Sequence, residues 1–319
     1  MSEREMHVCS GPANRPLAEA IARELGQELL PVSITRFPDS ESHVLIEALV
    51  RHQDIYIIQP CSAPVNDHFV ELLLMIDAFR RASAFAINVV MPYFPYGRQD
   101  RMARGREAIS ARVVARTLQV MGATRVVYVD IHAQATQGFF DIPVDPLTAL
   151  PVLAEYFRDD RFANAAIVSP DVGRGWLANQ YARRLDLPLV VMYKRRTEQG
   201  GVEVRDIAGN IFGRTPIIID DLIASGSVLT QVPALVHAGA RPPAYMAITH
   251  PVLLPKAVER LDSNLIAELV VTDSIYVPIE HRHPKLRILS IAPLLADAIR
   301  RIHEGDSMGP LVEGTWRIG

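Results

Sequence analysis

The stretch TPIIIDDLIASGSVLTQ, residues 215–231, runs an apolar segment directly into two adjacent aspartates and then into a turn of small residues. Charged side chains are costly to hold at the end of a buried strand, so Asp220 and Asp221 indicate a use beyond folding. In an open parallel sheet, ligands bind beyond the carboxyl ends of the strands. A small-residue turn leading into a helix directs backbone N–H groups at an anion. The stretch therefore predicts a strand, a turn and a helix that together form a ligand site.

The turn after the aspartates fits a phosphate group. It is made of small residues, namely Ala224, Ser225, Gly226 and Ser227. Such residues let the backbone wrap around a phosphate, and the serine hydroxyls can add donors. The carboxylates of Asp220 and Asp221 would accept hydrogen bonds from ribose hydroxyls, so the combination predicts a site for a sugar 5-phosphate. The alternative, in which the two aspartates only cap a helix, stays open at this point.

Short apolar runs alternate with longer amphipathic stretches in the first half of the chain. Strands are predicted at 54–59, 85–93 and 125–131, and helices are predicted between them at 66–82 and 109–123. Continuous apolar strands separated by helices are typical of a parallel sheet that is covered on both faces. The sequence therefore predicts an α/β fold.

The same alternation restarts after the proline-containing segment 142–151. A second set of strands is predicted at 165–171, 189–194, 215–221, 244–251, 265–274 and 286–292. Two sets of similar make-up indicate two similar domains, each a mainly parallel sheet flanked by helices. We expect the first domain to span residues 1–146 and the second 147–319. A terminal helix predicted at 292–302 is compatible with packing on either domain.

Composition limits the class of protein. The chain has 319 residues, of which 49% are hydrophobic and 22% charged, as expected for a globular protein with a sizeable core. A net charge of −3 argues against a nonspecific nucleic-acid partner, and a small phosphate ligand fits better. The polar start and the lack of an apolar run of about 18 residues argue against a secretory signal or a membrane span. Because Cys9 and Cys61 are far apart and form no metal or disulfide pattern, we expect a cytoplasmic protein.

Six motifs, taken in order along the chain, resemble those of the ribose-phosphate pyrophosphokinase (phosphoribosyl pyrophosphate synthase) family, which has the type I phosphoribosyltransferase fold. They are RFPDSE (36–41), PYFPYGRQDR (92–101), VDIHAQATQGFFDIPVD (129–145), SPDVG (169–173), KRR (194–196) and DDLIASG (220–226). The resemblance implies Mg²⁺-dependent transfer of the diphosphoryl group of ATP to the 1-hydroxyl of ribose 5-phosphate. The products would be phosphoribosyl pyrophosphate and AMP.

The resemblance also implies an ATP site in the first domain and a ribose 5-phosphate site in the second. The ATP-binding residues would be Phe37, Asp39, Glu41, Arg98, Gln99, Asp100 and Arg101. Forked arginine donors suit paired phosphate oxygens. In the family the loop of residues 37–41 reaches the nucleotide of a neighbouring subunit. The resemblance therefore implies a homo-oligomer built from dimers, with a hexamer as one candidate size.

Metal and catalytic residues are implied in the same way. The resemblance places His132 beside the metal-bound ATP as a metal ligand or catalytic residue, although hydrogen bonding to a phosphate suits an imidazole better. Mg²⁺ prefers oxygen ligands, so Asp130 and Asp171 are better metal ligands by type. Lys194 and Arg196 follow a predicted strand and enter a polar, glycine-containing segment, which we expect to be a loop. We expect both cations to stabilise the transferred group.

The second domain departs from the family pattern in its phosphate loop, which reads Ser225, Gly226, Ser227, Val228 in place of threonine-glycine-glycine-threonine, and at Arg174. Val228 stands where the family normally presents a hydroxyl to the 5-phosphate, and Arg174 stands where a glycine is common. A hydrogen bond to a charged group is worth about 1.5–3 kcal/mol, so we expect weaker binding of ribose 5-phosphate. Two other functions stay open. One is a phosphoribosyltransferase, which would not need the ATP motifs, and the other is a noncatalytic regulatory paralogue of a synthase.

Regulation by phosphate gives the first testable prediction. Many family members respond to inorganic phosphate and ADP through a serine shortly before an arginine and through a serine-containing C-terminal tail. Here Arg51 remains, but Leu49 occupies the serine position and the tail reads SMGPLVEG. We expect weak activation by phosphate and weak allosteric inhibition by ADP in steady-state assays. Strong activation by phosphate together with a sigmoidal ADP response would contradict this prediction.

Overall fold

The computed structural model describes residues 4–196 and 202–317, with backbone positions alone for 194–196 and 202–205. The described residues form two compact units. The first unit runs up to Thr148 and also contains Ser274–Tyr276 and the residues from Ile291 onward. The second contains Ala149–Asp273 and Val277–Ser290.

The first unit contains a parallel sheet and a separate hairpin. Its strands are β1 (Met6–Ser10), β2 (Val32–Arg36), β3 (Ser42–Ile46), β4 (Asp54–Ile58), β5 (Ala86–Met91), β6 (Arg125–Val129) and β7 (Val144–Leu147). Its helices before Thr148 are α1 (Arg15–Glu24), α2 (Val65–Arg81) and α3 (Ser110–Met121). The sheet has the order β1-β4-β5-β6-β7, and every neighbouring pair in it is parallel.

The core of this unit is formed by the sheet together with α2 and α3. All five residues of β4 are buried. Leu72, Met75, Ile76 and Phe79 recur at helical spacing along α2 and belong to the same apolar cluster. Full burial of such a side chain is worth roughly 1.5–3 kcal/mol. This packing fixes β5 and β6, and therefore the loops that follow their carboxyl ends.

The β2–β3 hairpin is not predicted by the sequence, in which only the loop at 37–41 is singled out. The two strands pair antiparallel from Val32 with Ile46 to Arg36 with Ser42. Their apolar side chains alternate with polar ones and are only partly buried against the core, so no continuous apolar run marks either strand. The segment 37–41 is the tip of this hairpin.

The second unit has a larger sheet of the same kind. Its strands are β8 (Ala165–Ser169), β9 (Leu189–Arg196), β10 (Val202–Ala208), β11 (Thr215–Ile223), β12 (Ala244–Pro251), β13 (Ile266–Thr272) and β14 (Leu286–Leu289). Its helices are α4 (Leu150–Tyr156), α5 (Gly175–Leu185), α6 (Val232–His237) and α7 (Pro255–Glu259). The sheet has the order β10-β9-β8-β11-β12-β13-β14, and all neighbours are parallel except β9 and β10. The predicted α/β class, with two similar mainly parallel sheets, is confirmed.

The antiparallel pair β9–β10 corrects the loop that was expected after residue 194. Strand β9 continues through Arg196, and Val202 pairs with Arg196 while Val204 pairs with Lys194. The register shifts between Val204 and Asp206. The strand signal of β10 is weak because charged residues interrupt it and glycines precede it. Residues 197–201 lie outside the described residues.

The C-terminal residues pack on the first unit, although the sequence prediction included them in the range 147–319. Helix α8 (Ala292–Glu304) contacts α1, and α9 (Gly309–Val312) contacts β7. His303 Nδ1 lies 3.2 Å from Asp54 Oδ2, and Trp316 Nε1 donates to Asp297 Oδ2 at 3.1 Å. The first unit is therefore built from both ends of the chain.

Across residues 4–196 and 202–317, no helix combines the length and the apolar character that crossing a lipid bilayer requires.

Candidate active site

The two aspartates lie within β11 rather than after it. The strand runs to Ile223, and its pairing with β8 ends at Ile218 opposite Val168. Pairing with β12 continues further, through Leu222 and Ile223. The strand after Ile218 thus extends past the end of β8, which places Asp220 and Asp221 at the carboxyl edge of the sheet. Parallel sheets bind ligands at this edge.

The turn at 224–228 differs from the predicted strand–turn–helix. It leads into a short 3₁₀ turn at Leu229–Gln231, and α6 has only six residues. A helix dipole of the expected strength is therefore absent after this turn. The backbone N–H groups of residues 225–228 have no hydrogen-bond acceptor among the described residues, and the next donor, Leu229 N–H, bonds Gly226 O at 3.0 Å. The donors that an anion would use therefore belong to the turn itself.

Gly226 shapes this turn. Its φ is +72°, in the left-handed region that favours glycine. A Cβ added there would lie 3.0 Å from Cα and 3.1 Å from Cβ of Ala257 in α7. Ser225 O also accepts a hydrogen bond from Arg260 Nη1 at 2.8 Å. The turn is thus held against the segment that follows β12.

Side chains alternate in direction along the turn. Ser225 and Ser227 are exposed, whereas Gly226 and Val228 are buried. Val228 belongs to the apolar core cluster that includes Leu229 and Ile248. The side chain of Val228 therefore packs into the core, and a hydroxyl in its place would lie in this apolar cluster. Only its backbone N–H remains available for contact with the sugar phosphate.

A third acidic residue lies just after the neighbouring strand. Asp171 follows β8, and its Oδ1 accepts a hydrogen bond from Arg174 N at 3.1 Å. The side chain of Arg174 then reaches β11, where its Nε lies 3.2 Å from Asp220 Oδ1 and its Nη2 lies 3.2 Å from Asp221 Oδ2. This double ion pair was not predicted, since it joins residues far apart in sequence. The sequence signal was only that Arg174 departs from the family pattern.

Placing the carboxylates of Asp220 and Asp221 side by side is electrostatically unfavourable. Burial raises the pKa of Asp220 well above its usual value, and the neighbouring charge of Asp221 raises it further. The positive charge of Arg174 acts in the opposite direction. The arginine therefore compensates part of the cost of placing two carboxylates side by side.

In the first unit, the loops after β5 and β6 lie side by side. A Cβ added to Gly97 would lie 3.6 Å from Ile131 Cγ1 and 3.7 Å from His132 Cβ, which is ordinary van der Waals contact. Asp130, directly after β6, has a φ of +38°, uncommon for a residue with a side chain. Its N–H donates to Leu147 O at 2.9 Å, which fixes this conformation. Asp130 and His132 are thereby held next to the loop that begins at Arg98.

The four residues of that loop that are predicted to bind ATP are accessible. Arg98, Gln99 and Arg101 are exposed, and Asp100 is half-buried. Gln99 anchors the loop to the start of α3, because its side chain accepts a hydrogen bond from the Ser110 hydroxyl and its O accepts one from Ala111 N at 3.2 Å. The arginine side chains are therefore presented to solvent from an anchored backbone.

The hairpin tip presents an exposed aromatic ring. Phe37 is 52% exposed, and its N–H donates to Glu41 O at 2.8 Å across the tip. Asp39 Oδ1 accepts a hydrogen bond from Glu41 N at 3.2 Å. The hairpin base is held by Glu71, which is 2% exposed and accepts hydrogen bonds from Arg36 and Ser42, each at 3.1 Å. The role of Glu71 was missed because nothing in the sequence of α2 marks it.

Three further sequence predictions concern the catalytic cations, the metal ligands and the regulatory position. Lys194 and Arg196 lie in β9, and their side chains are outside the described residues. Among the residues that the structure describes, no group of three or more His, Cys, Asp or Glu side chains could hold a metal ion. Leu49, at the position of the expected regulatory serine, is 95% exposed, and Arg51 nearby is exposed as well.

Comparison with known proteins covers almost the whole chain. A family model described as the N-terminal domain of ribose phosphate pyrophosphokinase matches residues 6–122. Models of a phosphoribosyl transferase domain and a phosphoribosyl synthetase-associated domain match residues 152–240 and 202–313. The chain belongs to the ribose-phosphate pyrophosphokinase family.

Individual relatives agree with this membership. The ribose-phosphate pyrophosphokinase of Bacillus subtilis is 46% identical over 310 residues, which cover 97% of this chain and 98% of the relative. That of Corynebacterium ammoniagenes is 46% identical over 307 residues, 96% of each chain. The solved phosphoribosylpyrophosphate synthetase from Mycobacterium smegmatis matches with a TM-score of 0.89 at 37% identity, covering 95% of this chain and 100% of that one. The resemblance read from the six motifs is confirmed, and the chain is an enzyme of this family, a transferase of nucleotide biosynthesis.

The buried position of Val228 changes what its replacement should do. From the sequence, Val228→Thr would restore a phosphate contact and lower the KM for ribose 5-phosphate. In the structure the new hydroxyl would lie in an apolar cluster, where an unpaired hydroxyl costs about 1–3 kcal/mol. We therefore expect a lower melting temperature and no decrease in KM. Ser227→Thr, which keeps an exposed hydroxyl, is the matched control and should leave the melting temperature unchanged. A lower sugar KM in Val228→Thr at unchanged stability would contradict this.

Proposed function

We propose that the chain transfers the diphosphoryl group of ATP to the 1-hydroxyl of ribose 5-phosphate, with the sugar bound at the carboxyl ends of β8 and β11. The observation that carries the proposal is the combination of Asp220 and Asp221 with the adjacent turn at 224–228. Acceptors for a diol and backbone donors for a phosphate are thereby held within one short segment. Few ligands other than a phosphorylated sugar need both.

In this proposal the two ends of the sugar contact different parts of that segment. Asp220 and Asp221 accept hydrogen bonds from the ribose hydroxyls. The backbone N–H groups of residues 225–228 and the exposed hydroxyls of Ser225 and Ser227 hold the 5-phosphate. Ala224 and Gly226 contribute small size rather than a polar group, since a larger residue at 226 would collide with Ala257.

The ATP site of the proposal lies at the carboxyl ends of β5 and β6. Arg98 and Arg101 supply exposed cations for the polyphosphate, and Gln99 and Asp100 complete the loop. His132 lies beside this loop, and in this proposal its imidazole hydrogen-bonds to a phosphate oxygen. Phe37 offers an exposed ring for stacking on adenine, and Asp39 and Glu41 offer carboxylates for its ribose. By resemblance, these last three residues serve the nucleotide of a neighbouring subunit.

Magnesium fits the donors that the chain offers. Mg²⁺ is usually held by one or two carboxylates together with substrate phosphates and water, so a site without three clustered protein ligands is expected. Asp130 in the first unit and Asp171 in the second are candidate ligands, with His132 as a weaker one. When bound, Mg²⁺ neutralises charge on the phosphate oxygens.

Catalysis in this proposal depends on Lys194 and Arg196, with His132 at the nucleotide. As the 1-hydroxyl oxygen of the sugar bonds to the β phosphorus, the bond from that phosphorus to the α–β bridging oxygen breaks, and negative charge grows on this oxygen as it departs with AMP. A cation at that position is worth more in the transition state than in the ground state. Both residues lie near the end of β9, beside β8 in the sheet, so the backbone brings them toward the edge that carries Asp171.

The proposal includes the cellular compartment, the oligomeric state and the partners of the enzyme. We place it in the cytoplasm as a homo-oligomer built from dimers, with a hexamer as one candidate, and without a nucleic-acid or membrane partner. Support for a reducing compartment comes from Cys9 and Cys61, which are both buried free thiols. Support for assembly is the exposed tip at Phe37, which in the family contacts a second subunit.

Formation of AMP is the direct test. We expect AMP to form only when ATP, ribose 5-phosphate and Mg²⁺ are all present, and to stop when the metal is chelated. A phosphoribosyltransferase would instead consume phosphoribosyl pyrophosphate with a base and would form no AMP. A regulatory paralogue would form none alone but would alter a catalytic partner. Absence of AMP from the folded chain, in the presence of all three reactants, would contradict the proposed function.

Alanine replacements test the catalytic assignment. Lys194→Ala or Arg196→Ala should lower kcat by about 10³- to 10⁵-fold and change each KM much less, as for the cationic residues of other phosphoryl-transfer enzymes. Steady-state kinetics with both substrates varied measures this. Arg158→Ala, on an exposed ion pair with Glu155, is a matched control. A kcat within about threefold of the wild type for both variants, under about 1 kcal/mol, would exclude the assignment.

A further inference from the structure

Arg174 joins both aspartates of β11 through one guanidinium group. Its Nε and Nη2 atoms lie 3.2 Å from Asp220 Oδ1 and Asp221 Oδ2, respectively. The side chain of Arg174 is 16% exposed and that of Asp221 only 4% exposed, so water screens this contact weakly. Such a pair differs from the exposed surface pairs of the same unit, for example Arg158 with Glu155.

The backbone holds Arg174 in place for this contact. It ends the short 3₁₀ turn Val172–Arg174, and its N–H donates to Asp171 Oδ1 at 3.1 Å and to Asp171 O at 3.2 Å. The turn follows β8 directly, and β8 neighbours β11 in the sheet. The position of the guanidinium is therefore set by two parallel strands that end at the same edge.

Two contacts of Asp220 converge on the same carboxylate oxygen. Arg174 Nε and Asp221 N both approach Oδ1 of Asp220, the latter at 2.9 Å. Oδ2, the second oxygen of that carboxylate, takes no part in either contact. Two neighbouring hydroxyls of a sugar need two acceptors with fixed directions, and a guanidinium fork fixes directions better than an ammonium group does.

We propose that Arg174 is a positioning residue for ribose 5-phosphate, which holds Asp220 and Asp221 as a paired acceptor for the two vicinal hydroxyls of the sugar. The inference rests on the proposed function of the β11 edge as the sugar site. It adds a residue to that site at a position where a glycine would offer no side chain. Removal of the guanidinium would take one positive charge away from two adjacent, largely buried carboxylates.

Three variants test this role: Arg174→Gln, which removes the charge, Arg174→Lys, which keeps the charge without the fork, and Arg158→Gln as the control. We expect Arg174→Gln to raise the KM for ribose 5-phosphate about tenfold or more, equivalent to about 1.4 kcal/mol, while the KM for ATP stays close to the wild-type value. Arg174→Lys should recover part of this loss, and Arg158→Gln should show none. Thermal melting of each variant verifies folding.

A sugar that lacks one hydroxyl separates positioning from general damage. The inhibition constant of 2-deoxyribose 5-phosphate, measured in competition with ribose 5-phosphate, shows how much the pair of hydroxyls contributes to binding. We expect the preference for ribose to shrink in Arg174→Gln, because the paired acceptor is lost. An unchanged or lowered KM for ribose 5-phosphate, or equal losses for both sugars and for ATP, would overturn the inference. A wild-type enzyme that forms no AMP at all would contradict the proposed function instead, so the two failures are distinguishable.

Discussion

Parallel pairing between β8 and β11 is the constraint on which the second unit depends. The register aligns Ile167 with Ile217 and Val168 with Ile218, so the segments that follow both strands reach the same edge of the sheet. Asp171 follows one strand, and Asp220 and Asp221 lie in the part of the other that extends past their pairing. The sequence separates these acids by about fifty residues, and only the register brings them to one edge. Every further contact at that edge, including the one made by Arg174, presupposes this pairing.

The electrostatics of that edge follow from the close spacing of its carboxylates. Adjacent carboxylates at a partly buried strand end repel one another, and burial raises the pKa of Asp220 in the same direction as its neighbour does. A phosphate or diphosphate brought nearby would add negative charge. Backbone donors and a guanidinium offset this charge without additional acids or bases, which suits a reaction that depends mainly on positioning and charge neutralisation. In the first unit, exposed arginines on an anchored loop are available to offset the negative charge of phosphate groups.

The sequence predicts those parts of the fold that leave a local signal. Strands buried on both faces, such as β4 and β12, appear as continuous apolar runs, and α2 and α3 have strong helical periodicity. The half-exposed hairpin β2–β3 and the edge strand β10 were missed, because their apolar residues alternate with polar ones. Family membership could be read from motifs, since these are local as well. The buried direction of Val228 and the ion pairs of Arg174 could not, because each depends on packing between distant segments.

The contact between Gly226 and Ala257 has a consequence for how such enzymes can change. The turn at 224–228 lies so close to α7 that a side chain at position 226 would meet both the Cα and the Cβ of Ala257. Two small residues in separate elements thus share one close contact, and Gly226 can gain a side chain only if the facing segment shifts. A turn transplanted from a relative would keep its shape only if the facing segment of α7 came with it. At this site, the turn at 224–228 and the facing segment of α7 therefore have to change together, and the phosphate-binding motif cannot be exchanged by itself.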